Sequence, residues 1–304
     1  MRRSRPTAGP RALERPARRD YGRFAVRPAG VSLGALVEGV DLRRACDDAL
    51  RDALSAALAD WKVLFFRDQP MALEQQADLA ACFGRLVDDT LVPRTAEKAV
   101  DNVVVFTRDA ATPGLENEWH SDGTFRPVPT KGTILRAIEV PEVGGDTLFA
   151  DMAAAYDLLP DDLKRRVATL RALHDWSIGA YADKYGDRLP ALREAHPPVE
   201  HPVVIRHPET GRATLFVNRL FTREIVGLSE RESDSLLETL WRMTDLPEVQ
   251  VRWHWEPNSV AFWDNVACNH YGASDYHPAR RVMARTTFFS RSWDRVAGYE
   301  GVGP

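Results

Sequence analysis

A histidine and an aspartate stand two residues apart in the segment Trp119-His120-Ser121-Asp122-Gly123-Thr124. On a strand or at a strand end, residues i and i+2 project to the same face, so His120 and Asp122 could bind one metal ion. Two histidines and one carboxylate on one face of an octahedron leave three positions open, which is the arrangement of non-haem Fe(II) oxygenases. The third ligand must come from elsewhere in the chain. Because the chain has eight histidines, a chance surface pair is the competing interpretation.

A second group of chemically useful residues lies near the end of the sequence. It comprises Trp263-Asp264-Asn265-Val266-Ala267-Cys268-Asn269-His270-Tyr271 and then Arg280-Arg281-Val282-Met283-Ala284-Arg285. Residues 281 and 285 have the same parity, so a strand through them would point both guanidinium groups to one side. A buried arginine cannot lose its charge and therefore needs an anionic partner. A planar carboxylate ligand would fit, since arginine binds it through two hydrogen bonds. An ordinary ion pair with one of the 44 acidic residues is the alternative.

Taken together, these segments closely resemble the taurine dioxygenase-like (TauD/TfdA) family of Fe(II)- and 2-oxoglutarate-dependent dioxygenases. The resemblance begins at Phe65-Phe66-Arg67-Asp68-Gln69 and ends with the block from Trp263 to Arg285. Between them lie WHSDGTF at 119–125, GGDT at 144–147 and LFVN at 215–218. It covers nearly the whole chain after residue 21, in order and with family-like spacings.

The resemblance implies that His120, Asp122 and His270 bind Fe(II) and form the catalytic centre. Arg281, eleven residues after His270, matches the partner of the distal carboxylate of 2-oxoglutarate, and Thr147 matches a hydroxyl that shares this carboxylate. The expected cofactors are therefore Fe(II), 2-oxoglutarate as co-substrate and O2, with release of succinate and CO2. Halogenating relatives lack a carboxylate at the position of Asp122, so hydroxylation or a related oxidation is expected here.

The substrate side of the site is predicted from three further residues. Arg285 matches a position that holds the acid group of anionic substrates in relatives, and Phe221 matches an aromatic pocket residue. A histidine that helps to hold the sulfonate in the taurine enzyme falls on Asp89 here, where a carboxylate would repel a sulfonate. The sequence therefore predicts a small anionic substrate that is amine-bearing or amino-acid-like.

Other substrates and another class of protein stay open at this point. The alternative substrates are a sulfonate, a sulfate ester, an aryloxy acid or a phosphorylated metabolite. The alternative class is a Zn-binding hydrolase or a non-catalytic jelly-roll binding protein, because Zn(II) outcompetes Fe(II) at most nitrogen and oxygen sites. Arg281 and Thr147 have no evident role in a hydrolase, which favours the dioxygenase.

The elements that must position these residues are short strands with helices before and between them. Apolar residues from Leu50 to Trp61 follow the one-face stripe of a helix, and a second helix is predicted to end near Phe83 with Gly84 as its cap. Two later helices are predicted, one after Pro160 and one from Ser229 to about Met243. Strands are predicted at 103–106, 133–138, 147–150, 203–205, 214–217 and 249–256.

Many short strands with inserted helices predict an antiparallel barrel or jelly roll, since closure hides sheet edges. The resemblance implies a mostly β fold with flanking helices, built on a double-stranded β-helix (jelly roll, cupin-like) core. A parallel doubly wound fold is disfavoured because no Gly-rich phosphate loop is visible. We expect one jelly-roll domain at 21–296, a disordered Arg/Pro-rich tail at 1–20 and a flexible tail at 297–304.

Composition restricts the partners and the compartment. The net charge of −4 provides no overall positive field for nucleic acid, and no apolar run reaches the roughly 18 residues of a membrane span. Nucleic-acid or membrane binding by the basic tail is the minor alternative. Three scattered cysteines predict a cytoplasmic protein without a disulfide framework. Relatives often form dimers or tetramers, so a homo-oligomer is also expected.

Overall fold

The computed structural model describes residues 12–16, 19–88, 96–112, 114, 117–177 and 185–291. Its helices are α1 (Asp48–Trp61), α2 (Leu73–Ala81), α3 (Met152–Asp157), α4 (Asp161–Val167), α5 (Leu189–Ala195) and α6 (Glu230–Trp241). Its first strands are β1 (Ala25–Pro28), β2 (Ala35–Glu38), β3 (Val63–Phe66), β4 (Gly84–Leu86), β5 (Ala96–Val100), β6 (Val103–Arg108), β7 (Gly132–Glu139), β8 (Thr147–Asp151) and β9 (Arg171–His174). The remaining strands are β10 (Val199–Pro202), β11 (Val204–Arg206), β12 (Ala213–Leu215), β13 (Thr222–Ile225), β14 (Gln250–Trp253), β15 (Val260–Asp264), β16 (Cys268–Gly272) and β17 (Arg281–Ser290).

Two sheets form the core of the molecule. The larger has the order β1-β2-β3-β15-β7-β17-β6-β5, and β4 pairs with β17 at its end. The smaller has the order β14-β8-β16. Apolar side chains from both sheets pack against each other, as when Phe65 of β3 stacks on Trp253 of β14 with ring centroids 4.2 Å apart. The predicted jelly roll is confirmed.

Helices α1 and α2 cover the outer face of the larger sheet. Leu54 and Leu58 of α1 are buried there, as the stripe predicted. From α2, the buried Gln76 amide donates to the carbonyl oxygens of Ile134 (3.2 Å) and Ala284 (3.0 Å) in β7 and β17. The outer face of β17 is therefore sealed by a helix.

The prediction that Gly84 caps α2 is wrong. The helix ends at Ala81, and Gly84 begins strand β4, where it pairs with Ser290. A Cβ atom at position 84 would lie 1.7 Å from the carbonyl oxygen of Phe289, so the glycine is required by close approach of two strands.

The other predicted elements are present with shifted ends. Strand β14 covers only Gln250–Trp253, although Trp255 beyond it is also buried. Helix α6 begins after Ser229 with the predicted capping box to Glu232, and it ends at Trp241. Pro160 is the N-cap of α4 rather than its first residue. The sequence patterns missed α3 and α5, which are six and seven residues long.

Strand β17 presents alternate residues to opposite sides. Met283 lies in the core between the sheets, whereas the carbonyl of Ala284 and the hydroxyl of Thr286 contact Gln76 on the outer side. Arg281 and Arg285 share the parity of Met283, so they belong to the inner face, as predicted.

The predicted tails are only partly described. Residues 12–16 and 19–20 are described, and Leu13 packs against the apolar cluster around α3 and α6. The flexible tail at 297–304 lies outside the described residues. Within the described part, no helix is both long and apolar enough to cross a lipid bilayer.

Candidate metal centre and active site

The three predicted metal ligands come together at one point inside the jelly roll. His120 forms an isolated bridge with His270 of β16, with backbone hydrogen bonds of 2.9 and 2.6 Å. Asp122 follows in a turn that Gly123 allows through its positive φ of 74°. One ligand atom from each of the three side chains lies within 4.8 Å of the others.

The protonation states suit a divalent cation. Burial, and next the neighbouring His120, lower the pKa of His270 to about 3, so this imidazole is neutral. Nδ1 of His120 lies 2.7 Å from the carbonyl oxygen of Glu118, which makes it the donor and leaves Nε2 as the lone-pair nitrogen. Burial alone would raise the pKa of Asp122, but the positive charge of Arg285 and the hydrogen bond from Thr133 are among the contacts that outweigh burial and lower that pKa.

This donor set fits a metal of the Fe(II) type. Two neutral nitrogens and one carboxylate oxygen form the ligand group that leaves an octahedral ion open on one side. Nδ1 of His270 is buried and makes no hydrogen bond to any described residue.

Aromatic residues support the ligands. The Trp263 ring lies 4.8 Å from the His270 ring, and Trp119 packs at 5.6 Å against Tyr271. The thiol of Cys268 is fully buried, and burial raises its pKa. Cys268 is therefore a packed small residue, and it does not belong to the group of side chains whose ligand atoms converge.

Arg281 and Thr147 lie at the other end of β17 and at the start of β8. Gly144 and Gly145 both have positive φ, and a Cβ at position 145 would come within 3.2 Å of Cδ and Nε of Arg281. The guanidinium group of Arg281 lies 5.6 Å from the centroid of the Tyr276 ring. Thr147 is buried, and its hydroxyl accepts a hydrogen bond of 3.0 Å from the indole of Trp255.

A cleft opens beside the metal ligands and contains two of the predicted substrate residues. Nη1 of Arg285 lies 3.5 Å from Oδ1 of Asp122, and the ring of Phe221 lies 6.0 Å from that of His120. The described lining of this cleft is Val87, Asp122, Gly123, Phe125, Arg126, Thr130, Tyr185, Phe221, Arg285 and Thr287.

The cleft also contains residues that the sequence did not predict. Phe125 packs edge-on against Phe221 with centroids 4.8 Å apart, and the guanidinium of Arg126 lies 5.6 Å from the Phe125 ring. Tyr185 contributes a second aromatic wall. The position of Phe125 and Arg126 directly after the His-x-Asp motif was the available signal. Asp89 lies outside the described residues, so its predicted role stays a prediction.

Comparisons with known proteins agree with this geometry. The family model described as "Taurine catabolism dioxygenase TauD, TfdA family" matches residues 25–287. The alpha-ketoglutarate-dependent sulfate ester dioxygenase of Pseudomonas putida is 35% identical over 86% of this chain and 88% of the relative. The (S)-phenoxypropionate/alpha-ketoglutarate-dioxygenase of Sphingobium herbicidovorans is 35% identical over 86% of this chain and 93% of the relative. A solved taurine dioxygenase from Burkholderia xenovorans superimposes with a TM-score of 0.75 at 34% identity, covering 88% of this chain and 91% of that chain.

The fold and the site thus define a dioxygenase that depends on 2-oxoglutarate, also called alpha-ketoglutarate, and is an oxidoreductase. More narrowly, the chain belongs to the TauD/TfdA family. The family match gives no support to the Zn-binding hydrolase or the non-catalytic binding protein that the residues alone left open.

Proposed function

We propose that this dioxygenase uses Fe(II) and 2-oxoglutarate to hydroxylate a carbon atom of a small organic anion. The observation that carries the proposal is the group of His120, Asp122 and His270, whose ligand atoms converge within 4.8 Å beside the arginine-bearing face of β17. When bound there, Fe(II) would activate O2 for C–H oxidation while 2-oxoglutarate is converted to succinate and CO2.

The remaining roles are assigned to residues of the chain. Arg281 binds the distal carboxylate of 2-oxoglutarate through charge-assisted hydrogen bonds, and the Thr147 hydroxyl supplies a further one. The Gly144-Gly145 turn leaves room for the Arg281 side chain, because neither residue carries a Cβ. Trp263 and Phe149, packed 5.4 Å apart behind the ligands, exclude water from the back of the site.

We propose that the substrate's anionic group binds Arg285 and that its carbon skeleton packs against Phe125 and Phe221. Relatives are named for sulfate esters and phenoxypropionate, which combine one anionic group with an apolar body. Among the described residues that line the cleft, two are cationic, Arg126 and Arg285, and the one carboxylate is Asp122. This lining favours a sulfate ester, sulfonate or aryloxy acid, whereas the predicted amine group depends on Asp89.

The partner is thus a small molecule, and we place the reaction in the cytoplasm because all three cysteines are free thiols. A homo-oligomer stays an expectation from the family resemblance.

The first test is anaerobic titration with Fe(II) and 2-oxoglutarate. Succinate release is then measured in the presence of O2 with a substrate panel. The panel contains alkyl sulfates, taurine, aryloxy acids and amine-bearing carboxylates. We expect release to be stimulated by organic anions and to be absent without added metal. Failure to bind 2-oxoglutarate in the presence of Fe(II) would contradict the proposal. Strong stimulation by the amine-bearing carboxylates alone, without stimulation by taurine, would instead support the prediction made from Asp89.

A further inference from the structure

Asp122 is held by hydrogen bonds that originate at a residue outside the metal-binding motif, Asn265. Asn265 lies in the turn between β15 and β16 and is 2% exposed. Its backbone N–H donates to the carbonyl of Lys131 (2.9 Å), and its own carbonyl accepts the Ser121 hydroxyl. The turn is thereby attached both to the start of β7 and to the residue between His120 and Asp122.

The orientation of the Asn265 amide follows from its neighbours. The indole N–H of Trp263 donates to Oδ1 of Asn265 at 2.7 Å. An indole can only donate, so the amide oxygen must face Trp263 and the amide nitrogen must face the other way. There, Nδ2 lies 3.0 Å from the hydroxyl oxygens of both Thr130 and Thr133. Its two hydrogens therefore serve the two threonines, one each.

Each threonine hydroxyl accepts a hydrogen bond from Asn265 and donates one to Asp122. Because the Thr133 oxygen accepts from Asn265, its single proton is available for Oδ2 of Asp122 at 2.8 Å, which is closer than the Thr287 hydroxyl at 3.2 Å. Thr130 likewise donates to the backbone carbonyl of Asp122 at 2.7 Å. Asn265, Thr130 and Thr133 are at most 2% exposed, so water does not compete for these bonds.

We propose that Asn265 is a positioning residue that sets the direction of both hydrogen bonds and so fixes the orientation of the Asp122 carboxylate. With Oδ2 held by Thr133, Oδ1 is the oxygen presented to the metal. Oδ1 lies 4.0 Å from Nε2 of His120 and 3.5 Å from Arg285, which places it on the side of the other ligands. The inference rests on the proposed function only in that a divalent metal occupies the site.

The first test is Asn265→Asp, a near-isosteric change that keeps the acceptor for Trp263 and removes both donors. The Thr133 proton would then be drawn toward the new carboxylate, and Asp122 would lose its donor. The added negative charge alone would strengthen cation binding, so weaker binding reports lost positioning. In a calorimetric titration with Mn(II), without turnover, we expect affinity to fall about 10–100-fold, as for other outer-shell changes at metal sites.

A second pair of variants keeps the test decisive even where Asn265→Asp fails to fold. Thr133→Val has a similar shape without the hydroxyl and should weaken Mn(II) binding, whereas Thr133→Ser keeps the hydroxyl and should bind like the wild type. The double variant Asn265→Asp/Thr133→Val should bind Mn(II) no more weakly than the single variant with the lower affinity. Both changes remove the same hydrogen bond from Thr133 to Asp122, so their effects should not add. Gln76→Glu is the matched control, since it alters a buried amide on the opposite face of the larger sheet and should lower stability without changing Mn(II) affinity.

Unchanged Mn(II) affinity in folded Asn265→Asp, equal affinities of Thr133→Val and Thr133→Ser, or additive losses in the double variant would each overturn the inference and leave the proposed function intact. A wild-type protein that binds neither Mn(II) nor Fe(II) would overturn both.

Discussion

Two arginines on one face of β17 lie beside different parts of the site. Arg281 packs against the Gly144-Gly145 turn, whereas Arg285 stands 3.5 Å from the carboxylate of Asp122. Arg281→Ala should raise the 2-oxoglutarate concentration needed for half-maximal rate, because truncating one partner of a buried charge pair costs about 2–5 kcal/mol. Arg285→Ala should instead raise the KM of the primary substrate and leave substrate-free 2-oxoglutarate turnover largely intact.

The measurement is succinate formation at varied concentrations of each substrate. Arg280→Ala is the control, because this neighbour is half-exposed and pairs with Glu139 at the surface. If both inner arginine variants weakened 2-oxoglutarate alone, the proposed division of roles would be wrong.

The histidine ligands permit a separation of metal binding from folding. His120→Ala or His270→Ala should remove measurable Fe(II) binding and turnover, since two remaining ligands cannot hold the ion against water. The metal-free variants should still fold and unfold cooperatively on heating, as the metal-free wild type does, because the apolar clusters do not depend on the ion. His254→Ala is the control, as this residue contacts Asp146 and is half-exposed. Near-normal turnover in either ligand variant would contradict the metal assignment.

At the scale of elements, the contact between β4 and β17 depends on a missing side chain. Gly84→Ala would place a Cβ 1.7 Å from the carbonyl oxygen of Phe289, so the backbone of one strand must move. We expect a loss of about 1–3 kcal/mol in the free energy of unfolding, the usual cost of overpacking. Urea denaturation of Gly84→Ala measures this loss, and Arg85→Ala, at the exposed neighbouring position, is the control. Equal urea midpoints for the two variants would contradict the prediction, because they would show that β4 and β17 accommodate the added methyl group without loss of stability.

Sequence patterns predicted helices and strands whose apolar residues repeat with a regular period. They failed where the structure depends on contacts between segments distant in the sequence. Leu54 and Leu58 lie on the stripe of α1. Val251 and Trp253, which alternate with polar residues in the strand predicted at 249–256, lie in β14. Gly84 was predicted to cap α2 because glycine is common at helix C-termini. The structure instead requires glycine at this position because a strand distant in the sequence, β17, lies close to it. Contacts of this kind leave no periodic signal.

The same limit applies to the candidate site. His120, Asp122 and His270 could be predicted because their motif is short and its partner block is distinctive. Phe125 stands three residues after Asp122 and could have been found from that position. Tyr185, which lines the same cleft, and Asn265, which holds Asp122 through Thr133, come from separate segments that only the tertiary fold brings together. Their roles depend on distances that no spacing in the sequence expresses.

For the whole molecule, buried histidines predict loss of stability in acid. Burial, the largest cause, lowers the pKa of His201 to about 4 and the pKa of the adjacent His174 well below its usual value. The unfolded chain takes up these protons at about pH 6.5, so the contribution is fully present above that pH and is lost as the pH falls toward about 4. For His201 alone the loss over this range is about 3 kcal/mol.

Urea unfolding at about pH 7.5 and about pH 5 measures this effect. His201→Gln, whose amide can still donate to the carbonyl of Arg126, should reduce the difference between the two pH values by about 2 kcal/mol relative to the wild type. A wild-type protein equally stable at both pH values would contradict the prediction.

If the substrate anion binds Arg285 as proposed, the 3.5 Å separation between Arg285 and Asp122 also predicts which carbon atom is oxidised. A substrate anion hydrogen-bonded to that guanidinium at about 2.9 Å can bring only its nearest carbon atoms to the metal ligands, whereas the distal chain must extend along Phe221. Oxidation should therefore occur at the carbon that bears the anionic group, whatever the length of the chain. In a series of alkyl sulfates deuterated at that carbon, mass spectrometry should find the same loss of label for short and long members, and oxidation that moved to the far end of longer chains would place the anion elsewhere.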